Sequence, residues 1–419
     1  MTPQEPGGAV PSRLSRRLGL GDAVIVGLGA MVGAGIFSAL GPAAAAAGAG
    51  LLLGLVVAAF VAFCNATSSA QLAAVHPESG GTYVYGRRRL GHLWGWLAGW
   101  GFVTGKLASC AAMALTFGAY AAPSVARPLA VAAVAAVTAV NYRGVHKTAL
   151  VTRVIVAVVL GALAAVVAAS LLGGRADPAN LLPLTGSGGA RGVLRAAGLL
   201  FFAFAGYARL ATLGEEVVDP RRTIPRAITL ALGVTLVVYA TVAVSALLAS
   251  GPQELAEADA PLAAAVEQGR LAALSPVVRL GATVASLGVL LSLIVGVSRT
   301  AFAMAGAGDL PQSLAAVHPR YAVPHRAELL VGALVGVTVA LVDLRQAIGF
   351  SAFAVLVYYG ITNAAALTLD ASDRRWPRWL AAAGLAGCAL LGVNLPPSSV
   401  LAGGAVLLAG ALVFGLRRR

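Results

Sequence analysis

LGDAVIVGLGAMVGAGIFSALGP, residues 20–42, is long enough to cross a bilayer and is interrupted near its middle by Gly33-Ala34-Gly35. A membrane helix normally satisfies its own backbone groups, because lipid cannot. Helix-weakening glycines at that depth fit a chain that opens there, where the freed groups meet a cavity or another partner. A second half-helix starting at the break would present unbonded amides and a positive dipole end, which suits a carboxylate. The same glycines also fit close helix packing, as small residues in membrane helices often do.

Working outward, VLRAAGLLFFAFAGYARLATLGEEV at 193–217 holds a second weak point, Gly206, among Phe201, Phe202, Phe204 and Tyr207. It falls five spans after the first. Two weakened helices at corresponding places in two five-span halves point to an inverted-repeat transporter with its site between them near the midplane. An odd number of spans per repeat gives the halves opposite orientations. Gly206 alone reads equally as a packing glycine.

The surrounding composition agrees. Of 419 residues 59% are hydrophobic and 11% charged, and several apolar runs exceed the roughly 20 residues that span a hydrocarbon core. Twelve spans are expected: 20–42, 49–74, 92–122, 126–142, 148–172, 193–217, 224–250, 276–305, 327–343, 346–369, 378–393 and 398–416. The fold class is therefore all-α and polytopic. It divides into an N-terminal tail (1–18), a first repeat (19–174), a second repeat (175–370) and two additional helices with a basic tail (371–419). The polar residues before the first span carry no cleavage signature, so no removable signal peptide is expected.

The net charge of +14 does not call for nucleic acid, because the basic residues cluster in short connections. With the N-terminus inside, the inner segments hold 21 of the 30 Lys and Arg, the outer segments 7, and two lie within spans, Lys106 and Arg209. That bias predicts a cell-membrane protein with both termini cytoplasmic. Cys64, Cys110 and Cys388 lie in separate apolar segments, with no spacing for a disulfide framework or a metal, and are expected to pack. No phosphate loop, zinc-ligand spacing or nucleophile constellation is found, which argues against an enzyme. No cofactor and no obligate protein partner are expected, and membrane lipid is the surrounding medium.

VHPESGGTYVYGRRRLG at 75–91 reads as an ordered, chemically plain inner connection. Residues 173–192 read as a Gly-, Pro- and Ser-rich outer loop and GPQELAEADAPLAAAVEQGR at 251–270 as an acidic outer segment with short helical potential, and either is placed to cover an outer entrance. The last two spans, with few polar residues and no interior charge, are expected to have a peripheral or packing role.

Four strings carry a resemblance: GAGIF (33–37), FFAFAGYARLATLGEEVVDPRRTIPRA (201–227), SRTAFAMAGAGDLPQSLAAVHPRYAVPHRAEL (298–329) and FSAFAVLVYYGITNAAAL (350–367). In this order they resemble the amino acid-polyamine-organocation permeases, particularly branches similar to cationic amino acid transporters. The likeness covers the first ten spans. It implies a LeuT-like core of five plus five helices and an amino acid substrate. The substrate carboxylate would then lie on the amides of Ala34, Gly35 and Ile36 and its ammonium on the carbonyls of Phe202 and Ala205, with Gly33 and Gly206 allowing close approach. Tyr207 is placed either to close over the substrate or to serve as a core tyrosine.

Lys106 lies about 14 residues into its span, roughly 20 Å along a helix, too deep for easy snorkelling. It should face a cavity or a partner. Similar permeases often carry a lysine in span five that is implicated in proton coupling, and the matching position here is Val159. Lys106 is therefore read as a substitute cation for proton or sodium coupling, against a structural lysine satisfied by opened carbonyls. Arg209 is a candidate for an inner ion pair, and Glu215 with Glu216 matches the GEEV motif expected in a gating or structural network. AGAGDLP has Gly306 and Ala307 where a basic-acidic pair often occurs, which weakens the expectation that this loop gates. Asp22 and His318 are expected to be structural. With no pocket carboxylate evident near Ala208, a neutral amino acid is favoured.

Overall fold

A computed structural model describes residues 18–76, 80–144, 149–185, 188–207, 210 and 217–417. The described chain is almost wholly helical. In a segment with this little polar surface, a helix is the form that satisfies every amide and carbonyl from within.

The first half contains α1 (Leu20–Met31), α2 (Ala34–Ala47), α3 (Leu51–Val75), α4 (Thr82–Arg89), α5 (His92–Ala121), α6 (Ala126–Tyr142) and α7 (Ala149–Leu172). The second contains α8 (Gly189–Phe204), a 3-10 turn at Ala205–Tyr207, α9 (Pro220–Glu257), α10 (Pro261–Glu267), α11 (Ser275–Gly306), α12 (His325–Leu341) and α13 (Leu344–Leu367). Two further helices follow, α14 (Arg378–Asn394) and α15 (Pro397–Arg417). Among the described residues nine helical stretches are long and apolar enough to cross a membrane, and α1 and α14 are shorter apolar helices. This is a multi-pass membrane protein.

Helix ends follow local chemistry. Pro220, Pro261 and Pro397 stand at first helical positions, where a missing N–H costs nothing. Gly48, at φ 55°, ends α2 in a conformation that favours glycine. Gly251, at φ 71°, bends α9 so that its last turn swings toward α10.

The core forms around α2 and α8, which pack on each other; α3 also covers α8, α9 covers α1 and α2, and α5 packs against α11 and α13. The helix α14 lies against α3, α8 and α13, while α15 lies on α5 and α13. Only α14 therefore reaches the central layer. Cys64, Cys110 and Cys388 are all free and buried, as packing residues would be.

Candidate functional site at two helix breaks

Both weak points expected from glycine are interruptions. The helix α1 stops at Met31, whose carbonyl accepts the Gly33 amide at 2.7 Å, and α2 begins at Ala34. Gly33 caps α2 in an extended conformation, φ −124° and ψ −153°, and no side chain accepts from the first turn. The amides of Ala34, Gly35 and Ile36 therefore point out of a helix start with no acceptor among the described residues. Ala34 and Ile36 are fully buried, so water does not serve them from the surface.

In the second segment α8 ends at Phe204, and the chain tightens into the 3-10 turn that holds Ala205, Gly206 and Tyr207. Phe201, Phe204 and Tyr207 are buried, whereas Phe202 and Gly206 keep partial exposure.

Tertiary packing brings the two breaks together. A methyl on Gly206 would overlap the Ala30 carbonyl, and one on Gly35 would sit 2.8 Å from the Ala203 Cα. At both points backbone meets backbone, and only glycine leaves room. A methyl on Gly33 would meet Val289 of α11 at 2.6 Å, so this break also touches α11.

Tyr239 of α9 joins the pair: its hydroxyl donates to the Met31 carbonyl at 2.5 Å and lies 3.2 Å from the Ala203 carbonyl. One buried phenol therefore ties together the ends of α1 and α8. Sequence reasoning passed over it. The available signal was a lone tyrosine in the apolar run LVVYATVAV, where a polar tip needs a partner.

A small cavity opens beside the first break, between Gly29, Val32 and Gly33 on one side and Thr152, Ile155 and Val156 of α7 with Gly288 and Val289 of α11 on the other. Its α7 wall carries no cation. Val159 is buried and apolar.

Lys106, on α5, is partly accessible, and no acceptor lies within hydrogen-bonding distance of its ammonium among the described residues. Cys110, one turn further on, is the neighbour that senses its charge. Arg209, Glu215 and Glu216 lie outside the described residues.

The two ends of the first span are held differently. Beyond α2, Tyr120 donates to the Phe37 carbonyl at 2.9 Å and accepts from the Leu262 amide at 3.2 Å. Arg279 pairs with Glu267 at 2.7 Å and donates to the Tyr120 carbonyl at 3.2 Å. The segment 251–270 thus forms α10 and lies across α2, with Gly41 close to the Leu255 carbonyl and to Pro261. At the α1 end, Asp22 pairs with Arg153 of α7 at 2.6 Å, and the Val218 amide donates to the Leu18 carbonyl.

The connection 75–91 is ordered as α4 and is chemically busier than its sequence suggested. Tyr83 donates to Asp309 of the AGAGDLP loop at 2.5 Å, His92 lies 3.0 Å from the same carboxylate, and Arg87 lies 3.5 Å away. Burial first, and then the Asp309 carboxylate, push the Tyr83 hydroxyl up to about 12, so it stays a donor at physiological pH.

Comparison with known proteins agrees with this architecture. An amino acid permease family profile matches residues 18–415. An uncharacterized transporter of Mycobacterium tuberculosis is 62% identical, across 98% of this chain and 93% of its own. The branched-chain amino acid permease BcaP of Bacillus subtilis is 28% identical, across 83% and 80%. Cationic amino acid transporter 7 of Arabidopsis thaliana is 27% identical, across 84% and 65%. Coverage from the residues before the first break to the last helix, together with a transporter of such high identity, settles the class: the chain belongs to the amino acid permease family.

Proposed function

We propose that this protein is a secondary active transporter of amino acids, working by alternating access around the two helix breaks. In this reading α1 with α2, α3, α5, α6, α7, α8 with the segment to 217, α9, α11, α12, α13, α14 and α15 are twelve spans. The first ten form two inverted repeats of five, and both termini are cytoplasmic.

The observation that carries the reading is that the uncapped start of α2 packs on the end of α8, Gly35 against Ala203, while Gly206 of the turn that follows meets Ala30 at the end of α1. A zwitterion matches that pair. Its carboxylate takes the amides of Ala34, Gly35 and Ile36 at a positive helix end, and its ammonium takes the carbonyls of Phe202 and Ala205 at a negative one. Neither polarity requires a charged side chain, which favours a neutral amino acid. BcaP is by name a permease for branched-chain amino acids, and the apolar walls from Val32, Ile155 and Val289 suit such a side chain.

Coupling is assigned to Lys106, with proton or sodium as the coupled ion. Its ammonium is deep, has no hydrogen-bond partner among the described residues, and stands in a chain whose α7 offers Val159 where a lysine is usual in similar permeases. Arg209 and Glu215 are assigned to the gate that follows the second break.

The test is uptake in proteoliposomes. Purified protein is first screened by thermal shift against amino acids and polyamines, and the stabilising compounds are then offered as labelled substrates under proton or sodium gradients. Saturable, gradient-driven accumulation is expected. Saturable binding with no accumulation under any gradient identifies a membrane sensor and removes the transport reading.

A further inference from the structure

Behind the second break lies a polar cluster that the substrate contacts above leave unused. Asn65 of α3 and Asn363 of α13 meet in the apolar core, both fully buried. The Asn363 amide nitrogen donates to Asn65 Oδ1 at 2.6 Å and to the Tyr359 carbonyl at 2.9 Å. The Cys388 thiol of α14 donates to the same Asn65 oxygen at 3.4 Å. Gly384, also on α14, makes the room: a methyl there would lie 2.6 Å from Asn363 Oδ1.

These contacts fix which way Asn65 points. Its oxygen is used twice, so its Nδ2 faces away with no acceptor. Tyr207, the last residue of the turn at the second break, stacks on Tyr359 with ring centroids 5.0 Å apart. Its hydroxyl is fully buried and also unpartnered. Asn363 links the two, bonding Asn65 and the carbonyl of the same Tyr359 whose ring packs on Tyr207. A donor and an acceptor, each costly to leave unmade in a dry core and neither with a partner among the described residues, therefore share one cluster.

We propose that Asn65 is a positioning residue for Tyr207. Held by Asn363 and Cys388, its Nδ2 donates to the Tyr207 oxygen when the second break engages substrate, and the Tyr207 hydroxyl then donates onward to that of Tyr359. The bond is made only as the turn at 205–207 moves, so part of the binding energy is spent on ordering that turn. The inference rests on reading the two breaks as the substrate site. It adds α3, α13 and α14 as the frame that sets the turn.

The experiment is a double-mutant cycle on uptake, using Tyr207→Phe, which removes only the hydroxyl, and Asn65→Leu, which removes the donor at similar volume. Asn65→Ser replaces Asn65→Leu if the latter does not purify as a folded monomer. Each single change is expected to raise KM by about tenfold, the scale of one lost hydrogen bond, with Vmax within about twofold. The double variant is expected to be no worse than either single one. An unchanged KM in Tyr207→Phe overturns the inference, as does a folded Asn65 variant with the wild-type KM, or a double variant whose effects multiply. Wild-type protein that accumulates no amino acid fails the substrate-site reading itself, a result distinguishable from all of these.

Discussion

The two halves of the first broken helix share a sequence style and differ in how they are held. Nearly every residue of α2 is buried, whereas most of α1 keeps partial exposure. Over α2 lies a continuous set of bonds through Phe37, Tyr120, Leu262, Arg279 and Glu267. At the end of α1 away from the break Asp22 pairs with Arg153, with side chains 35% and 55% exposed, and the Tyr239 bond holds only the Met31 end. Exposed pairs contribute little, typically up to about 1 kcal/mol, because water and salt screen them. The α2 end is therefore closed by packing and buried hydrogen bonds, and the α1 end by a contact that solvent competes for. A chain that opens one end at a time would move first at α1.

The largest effect is expected at the hinge that both halves share. Gly206→Ala drives a methyl into the Ala30 carbonyl, and neither backbone can yield cheaply, so uptake should fall by more than about tenfold in protein that still purifies. Initial rates in proteoliposomes measure it, and wild-type rates would remove the close approach from the mechanism. Tyr239→Phe comes next. It takes away the phenol that bonds the Met31 carbonyl, costs about 1–3 kcal/mol, and should lower the unfolding temperature in detergent while loosening both breaks together.

Tyr120→Phe sharpens the contrast directly. Losing the bonds to Phe37 and Leu262 should unseal the α2 end, seen as faster labelling of a cysteine introduced at Phe37 and a loss of about 1–2 kcal/mol. Labelling that stays slow would mean that packing alone closes this end. Asp22→Asn is expected to have the smallest effect, under about 1 kcal/mol on stability, and to raise labelling only on the α1 side. A pH series on the Tyr83 to Asp309 contact should show it intact through neutral pH, since the hydroxyl ionises only near 12.

Much of this was legible in the chain. Gly33 with Gly35, and Gly206 alone, marked the two interruptions, because a helix-weakening glycine inside an apolar run is tolerated where the freed backbone groups find another partner. The acidic segment 251–270 declared itself as a cover, and α10 does lie over α2. Of the peripheral or packing roles expected for the last two spans, α15 takes the first and α14 the second, packing on α3 and α8 and lending Cys388 to the core. Hydropathy reports how apolar a helix is and not which neighbour it meets. The connection 75–91 read as chemically plain because Tyr83 and Asp309 are 226 residues apart in the chain.

By itself the sequence determined that this chain is helical, lies in a membrane, and breaks twice, since composition and glycine placement act locally and need no partner. Only tertiary structure decided that Gly206 lies against Ala30, that Tyr239 spans both ends, and that Asn65 meets Asn363 and Cys388 in the core. Those outcomes depend on which helices share a face, and in a uniformly apolar chain that choice is made by three-dimensional packing of small residues and by the few polar groups that must find one another.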